Sequence, residues 1–263
     1  MNIEARGVTA RFGRATILEA VNVTIRPGQM IGLIGPNGSG KTTLLRMLAG
    51  LRATEGGLVL YDGRPVKEIG LRELARNIAY LAQSANVHWH MQVESVIELG
   101  RLPHRRVLHG LTAADREAVE RAIAACDVAA FRTRTMSEVS GGERLRILLA
   151  RALAVDAELL LADEPIAALD PRHQLDVMEL LRQTARRGRG VVVVLHDLAL
   201  AGRFCDRLLL LADRSIVADG APSEVLTDLN IERAYGVAVV RGEHCGVPYL
   251  LPWKAADGAC ASQ

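Results

Sequence analysis

Eight consecutive residues carry the first chemical signal in the chain: Gly35-Pro36-Asn37-Gly38-Ser39-Gly40-Lys41-Thr42, with Thr43 directly after. Their spacing is G-x-x-x-x-G-K-T. Gly35, Gly38 and Gly40 allow backbone angles that side chains would block, so consecutive amides can close around phosphate oxygens. The apolar run over residues 30–34 predicts a strand before the loop, and about 41–49 a helix after it. A helix starting there aims its free N–H groups and positive dipole end at the same anion. Lys41 is then expected to reach the β- and γ-phosphates, and the Thr42 hydroxyl to ligate Mg²⁺. Lysine is scarce in this chain, with only Lys41, Lys67 and Lys254 among 32 basic residues. A dinucleotide fingerprint would need a third glycine where Thr43 stands. The loop reads as a nucleoside triphosphate site.

Three further places fit that chemistry. The apolar run Glu158-Leu159-Leu160-Leu161-Ala162 ends in Asp163-Glu164-Pro165. Open α/β sheets collect ligands at the carboxyl ends of their strands, so both carboxylates are expected to face the phosphates. Asp163 is expected to hold Mg²⁺ through water and Glu164 to polarise the attacking water. Another apolar run, residues 191–195, ends in His196-Asp197, which places His196 to contact the γ-phosphate. Finally, Val139-Ser140-Gly141-Gly142-Glu143 opens a helix over 144–154 and forms a second anion-binding helix start. One complete cradle already exists, so the second makes sense for a nucleotide held by another copy of the chain.

The remaining elements must position these groups. The 263 residues are 49% hydrophobic and 24% charged, enough for one large domain or two small ones with a substantial core. Basic and acidic residues nearly cancel, 32 against 30, and there are only 3 Phe, 4 Tyr and 2 Trp. That excludes a broad nucleic-acid footprint and base-stacking platforms. No apolar run approaches the ~18–20 residues of a membrane span, and the start does not resemble a signal peptide. The expectation is a soluble, intracellular protein. Cys126, Cys205, Cys245 and Cys260 form no CxxC pair, which argues against a structural zinc site and fits a reducing compartment. Cys260-Ala261-Ser262-Gln263 formally matches a prenylation box, but Ser262 is not aliphatic and a frayed tail is the simpler account. Strands are predicted over 8–12, 17–25 and 57–61, and a helical stretch over about 71–153. Within it, Thr112 and Asp115 form a capping box for a helix to about Cys126, with Glu117 and Arg121 in i,i+4 register. Buried strands and helices then alternate, with strands at 158–162, 191–195 and 208–212. The layout is an α/β core interrupted by a helical insert, with a small tail after about Ser223.

In this order, the phosphate loop, the Ser140-Gly141-Gly142 segment, Asp163-Glu164 and His196 resemble the motifs of ATP-binding-cassette (ABC) ATPases. The resemblance covers essentially the whole chain. It implies an α/β P-loop NTPase core with an antiparallel β subdomain and a helical insert subdomain. The nucleotide-binding domain would span 1–240 (core about 1–82 and 153–225, insert about 83–152), with a short C-terminal extension over 226–263. It further implies ATP, Mg²⁺ and a homodimer holding two nucleotides head to tail. Gly35, Pro36, Asn37, Gly38, Ser39, Gly40, Lys41, Thr42 and Thr43 would hold phosphates from one subunit, and Ser140, Gly141 and Gly142 from the other. Phe12 falls at the aromatic that stacks on adenine. Gln83 falls at the residue joining core to insert, which senses Mg²⁺ and the γ-phosphate. Asp170, in Ile166-Ala167-Ala168-Leu169-Asp170, falls in the loop that communicates across the dimer. Glu164, His196 and Gln83 would be catalytic, and Thr42, Gln83 and Asp163 would bind the metal. Val139 replaces the usual Leu, Leu145 a common Gln, and Ile166-Ala167 a common Thr-Ser. These departures bear on rate and on communication between sites.

With one such domain and no membrane span, transport would require a borrowed permease. Residues 87–103 follow Gln83 where the family docks a permease helix, and the stretch Leu99-Gly100-Arg101-Leu102-Pro103-His104 resembles importers of iron–siderophores, haem and cobalamin. The tail segments at 219–226, 234–237 and 248–252 are similar to the same group. That implies a homodimer on a permease dimer at the cytoplasmic face of a bacterial-type inner membrane. A periplasmic or lipoprotein solute-binding protein would be an indirect partner, and nucleic acid would not be one. His88, Trp89, His90 and His104 show no ligand spacing and are read as interface residues rather than a haem or metal site. An exporter ATPase and a soluble ABC ATPase of iron–sulfur assembly remain alternatives. Nothing in the residues names the solute.

Overall fold

The alternating N-terminal residues form two long antiparallel strands, β1 (Ile3–Phe12) and β2 (Ala15–Ile25), in a computed structural model that describes residues 1–83, 90–105, 109–167 and 169–256. The apolar run β3 (Met30–Ile34) is buried along its whole length and enters the glycine loop, after which α1 (Lys41–Leu48) begins. β4 (Gly56–Tyr61) and the two-residue β5 (Arg64–Pro65) complete a four-stranded antiparallel sheet in the order β2-β1-β4-β5. α2 (Leu71–Asn77) then runs directly into β6 (Ile78–Leu81).

β6 corrects the expectation of continuous helix from about 71 to 153. Four residues are too few for a periodicity to declare itself. The parallel ladder to β7 (Leu159–Asp163), pairing Ile78 with Leu159 and Leu81 with Ala162, decides their conformation. Between β6 and β7 lie α3 (Val93–Glu98), α4 (Ala113–Ala125) and α5 (Gly141–Ala154). After β7 come α6 (Pro171–Arg186), β8 (Gly190–Val194), α7 (Leu198–Phe204), β9 (Arg207–Ala212) and β10 (Ser215–Gly220).

The second sheet has the order β10-β9-β3-β8-β7-β6, parallel except for β10. β3, β7 and β8 are buried throughout, as parallel strands covered on both faces must be. Alternate residues divide between the two faces. Ile31, Leu33, Leu161, Val192 and Leu209 pack with Leu44, Leu45 and Leu48 of α1 and with the antiparallel sheet. Met30, Ile34, Leu160, Val193 and Leu210 pack with α5, α6 and α7.

The tail is more ordered than a small appendage. α8 (Pro222–Val225), α9 (Asp228–Tyr235) and a hairpin of β11 (Val237–His244) and β12 (Val247–Ala255) follow β10, and Ile231 and Leu250 join the core. His88, Trp89, Ala168 and the box at 260–263 lie outside the described residues. No described helix is long and apolar enough to cross a membrane.

In the insert, α4 starts with the expected reciprocal cap. Thr112 Oγ1 accepts the Asp115 N–H at 3.1 Å, and Asp115 Oδ2 accepts the Thr112 N–H at 3.0 Å. Glu117 accepts from Arg121 at 2.7 Å one turn later. Asp115 Oδ1 also accepts from the buried Arg101 Nε at 2.8 Å. Burial alone would raise the Asp115 pKa, but the Thr112 hydroxyl and N–H and the Arg101 guanidinium together pull it down to about 2. A depressed carboxyl pKa contributes stability above the unfolded value, near 4, that is lost as pH falls through the folded value. Wild type should therefore melt above Asp115→Asn at pH 6, with the gap closing between about pH 4 and pH 2. A gap independent of pH in thermal melts would contradict the assignment.

Candidate functional site

Strand order alone brings the chemistry together, because β3, β8, β7 and β6 are successive neighbours and all point the same way. Their carboxyl ends deliver the phosphate loop, His196, the Asp163-Glu164 pair and Gln83 to one edge.

The loop begins at Gly35 with φ +151°, and a Cβ there would collide with the Leu211 carbonyl of β9. It ends at Gly40, the N-cap of α1, in a left-handed conformation that supplies no side-chain cap. The first α1 amides are thus left for a ligand. Lys41 is buried, and its Nζ donates to the carbonyls of Gly35 and Pro36, both at 2.8 Å. Burial lowers its pKa, and the nearby Glu164 and Asp163 carboxylates oppose that. Ser39 Oγ is buried within the loop without a hydrogen-bond partner among the described residues. A cradle of amides, an ammonium and an orphaned hydroxyl is what a polyphosphate would satisfy.

Asp163 is fully buried at the end of β7. Its Oδ1 accepts from Thr42 Oγ1 at 3.0 Å and its Oδ2 from the Tyr80 hydroxyl at 3.2 Å. Burial raises its pKa, and those two hydrogen bonds and the Arg46 charge only partly offset the rise. A buried carboxylate with a hydroxyl 3.0 Å away is a hard-oxygen donor set that fits Mg²⁺.

Glu164 departs from the strand with φ +52°, a conformation that costs a non-glycine residue about 1–3 kcal/mol. That turn aims its carboxylate back across the sheet edge. Oε1 lies 2.6 Å from His196 Nε2, and Oε2 accepts from Gln83 Nε2 at 2.6 Å. An open cleft of about 370 Å³ joins these groups to Phe12, Ile17, Asn37, Thr43 and Arg52. Phe12 is 75% exposed at its rim, beside the loop.

Ser140, Gly141, Gly142 and Asp170 do not line this cleft; nor do Gly35, Pro36, Ser39 and the buried Asp163, which however adjoin lining residues in the loop and at the end of β7. Ser140 caps α5, its hydroxyl accepting the Glu143 N–H at 3.3 Å and its own N–H donating to Glu143 Oε2 at 2.7 Å. Asp170 caps α6, accepting the His173 N–H at 3.0 Å with His173 Nδ1 at 2.6 Å. The His173 backbone and ring together hold the Asp170 carboxyl below its ordinary pKa. His104, from the histidine group, meets the Val155 carbonyl at 2.9 Å.

Sequence reasoning did not single out Tyr80, Arg46 or Arg52. Tyr80 lies on β6, and its approach to Asp163 exists only through the β6–β7 ladder.

A family model described as "ABC transporter" matches residues 18–167. The chain belongs to the ABC transporter family. Its architecture is that family's ATPase domain. A hemin import ATP-binding protein of Streptomyces coelicolor is 46% identical over 255 residues, covering 95% of this chain and 90% of that protein. A cobalamin import ATP-binding protein of Halobacterium salinarum is 41% identical over 243 residues, 92% of this chain. The chain spans 61% of that relative's length. Among solved structures, a dimeric ATP-binding cassette bound to ADP and Pi matches 84% of this chain and 98% of its own at TM-score 0.73 and 27% identity. A chain from an inward-facing ABC transporter described as of metal-chelate type has the same fold, with TM-score 0.82 at 22% identity, covering 96% of this chain and 97% of its own.

Tyr80→Phe removes only the hydroxyl on Asp163. Losing one hydrogen bond of about 1.5–3 kcal/mol to a charged group predicts an Mg²⁺ requirement in nucleotide binding higher by about tenfold or more, with metal-free binding unchanged. An unaltered Mg²⁺ titration would show that the hydroxyl does not position Asp163.

Proposed function

We propose that the chain is the ATP-hydrolysing subunit of an ABC importer for an iron–siderophore, haem or cobalamin-type solute. The observation that carries the catalytic part is Glu164, turned out of its strand and held 2.6 Å from both His196 and Gln83 beside the phosphate loop. Lys41 exchanges its two loop carbonyls for β- and γ-phosphate oxygens when ATP binds. The amides of Gly35 to Thr43 and the Ser39 hydroxyl close on the same phosphates, and Phe12 stacks on the base. Thr42 and Asp163, with Gln83, would hold Mg²⁺, which when bound neutralises charge on the transferred phosphoryl group. Glu164 accepts the proton of the attacking water, and His196 and Gln83 fix its carboxylate and orient that water in line with the γ-phosphorus.

The Ser140-Gly141-Gly142 helix start, exposed at Ser140 and Gly141, supports a two-copy site. It does not line the cleft of its own chain, so it serves the nucleotide bound by a second copy, with Asp170 at the junction. The import assignment is supported by the hemin and cobalamin import relatives and by Leu99-Gly100-Arg101-Leu102-Pro103-His104. A permease dimer docks near that segment and couples closure of the two copies to solute passage. The chain then works as a peripheral subunit on the cytoplasmic face of the inner membrane. A periplasmic or lipoprotein binding protein meets the permease, not this chain.

Glu164→Gln keeps the shape of the carboxylate and removes its basicity. It should still bind ATP, accumulate as an ATP-bound dimer and lose at least about a hundredfold in hydrolysis rate. Tagged and recovered from detergent-solubilised membranes with ATP, it should carry an importer permease. Wild-type turnover would refute Glu164 as base, and recovery of soluble partners alone would refute the transport reading.

A further inference from the structure

The segment 99–105 is fastened to two parts of the molecule at once. On one side it grips the C-terminal end of α5. Arg101 is 7% exposed, and its Nη1 donates to the carbonyls of Ala154 and Val155 at 2.8 and 2.9 Å while its Nε donates to Asp115. His104 meets the same Val155 carbonyl, and a Cβ on Gly100 would run into the Arg151 carbonyl. On the other side, Arg72 and Arg76 of α2 donate from Nε to the Pro103 carbonyl at 3.0 and 2.8 Å, and Arg72 Nη2 reaches the Arg105 carbonyl.

These two attachments lead to two functional places. The far end of α5 is Ser140-Gly141-Gly142. α2 continues without a break into β6, two residues before Gln83. We propose that Arg101 is a positioning residue: it locks helix α5 to segment 99–105 and so sets where Ser140, Gly141 and Gly142 stand relative to Gln83. This role rests on the two-copy reading above.

The lever is long enough to matter. A 14-residue helix is about 21 Å long, so a tilt of ~5° at the clamped end moves the other by nearly ~2 Å. Hydrogen-bond distances tolerate a spread of only about 0.5 Å. A guanidinium also suits the site. It complements the negative end of the helix dipole, and its planar fork fixes direction, whereas an apolar pair would only fill volume. A buried ion pair adds little net stability over apolar side chains of equal size, so geometry is what this one supplies.

The test uses the full chain in the Glu164→Gln background. Arg101→Met with Asp115→Asn removes both charges together, leaves no orphaned ion and keeps a side-chain oxygen to accept the Thr112 N–H at the α4 cap. Trinitrophenyl-ATP binding to the monomer reports the phosphate loop, circular dichroism reports the fold, and sedimentation reports ATP-driven dimerisation. Positioning predicts unchanged dichroism, nucleotide affinity within twofold of the parent, and at least a tenfold higher ATP concentration for half-dimerisation. Arg101→Lys, which can pair with Asp115 but lacks the fork, should fall between the two. It carries the same test alone should the double variant not fold. Dimerisation at the parent's ATP concentration would overturn the role. So would a loss of nucleotide affinity in step with dimerisation, the mark of a merely structural residue. A parent that never dimerises with ATP would instead overturn the two-copy reading, and the positioning role with it.

Discussion

Backbone hydrogen bonds along the parallel ladders, from Met30–Leu33 against Val191–Val194 and from Leu159–Asp163 against Gly190–Val194, hold three strand ends side by side. Add the edge ladder of Ile78–Leu81 against Leu159–Ala162 and a fourth end joins them. Past those ends come a glycine loop, a glutamate at positive φ, His196 and Gln83. Parallel strands put all of those ends on one edge of the sheet. The apolar runs that make the ladders stable are therefore the same feature that gathers the polar groups.

Charge burial at that edge is tolerated because the groups answer one another. Lys41 loses water and is held by two carbonyls, while the carboxylates of Asp163 and Glu164 favour its charged form. Asp163 is the reverse case, a buried acid whose two hydrogen bonds do not fully compensate its desolvation. A cation beside Asp163 would redress that imbalance. Glu164 adds backbone strain, which the surrounding ladder over-determines.

Legibility in the sequence followed the range of the interactions. The phosphate loop is contiguous, so its chemistry could be read directly, and the Thr112–Asp115 cap needed only a three-residue spacing. Asp163, Glu164 and His196 were visible because long apolar runs end at them. Tyr80 was not, since β6 is a four-residue strand defined by a neighbour some eighty positions away. Arg101 is legible in the sequence only through the resemblance at 99–104. Its partners lie 14, 53 and 54 residues off, a distance no local pattern spans. Phe12, Gln83 and Asp170 came from family resemblance rather than from their surroundings in the chain.

In the two-copy site proposed above, each nucleotide is shared by the phosphate loop of one copy and the Ser140-Gly141-Gly142 helix start of the other. The most direct measurement mixes two inactive chains, Lys41→Ala with a dead loop and Ser140→Arg with a blocked helix start, and follows ATP hydrolysis. In a mixed dimer one site keeps both halves intact, so activity should appear in the mixture that neither chain shows alone. A mixture as silent as its two components would contradict a site built from two copies.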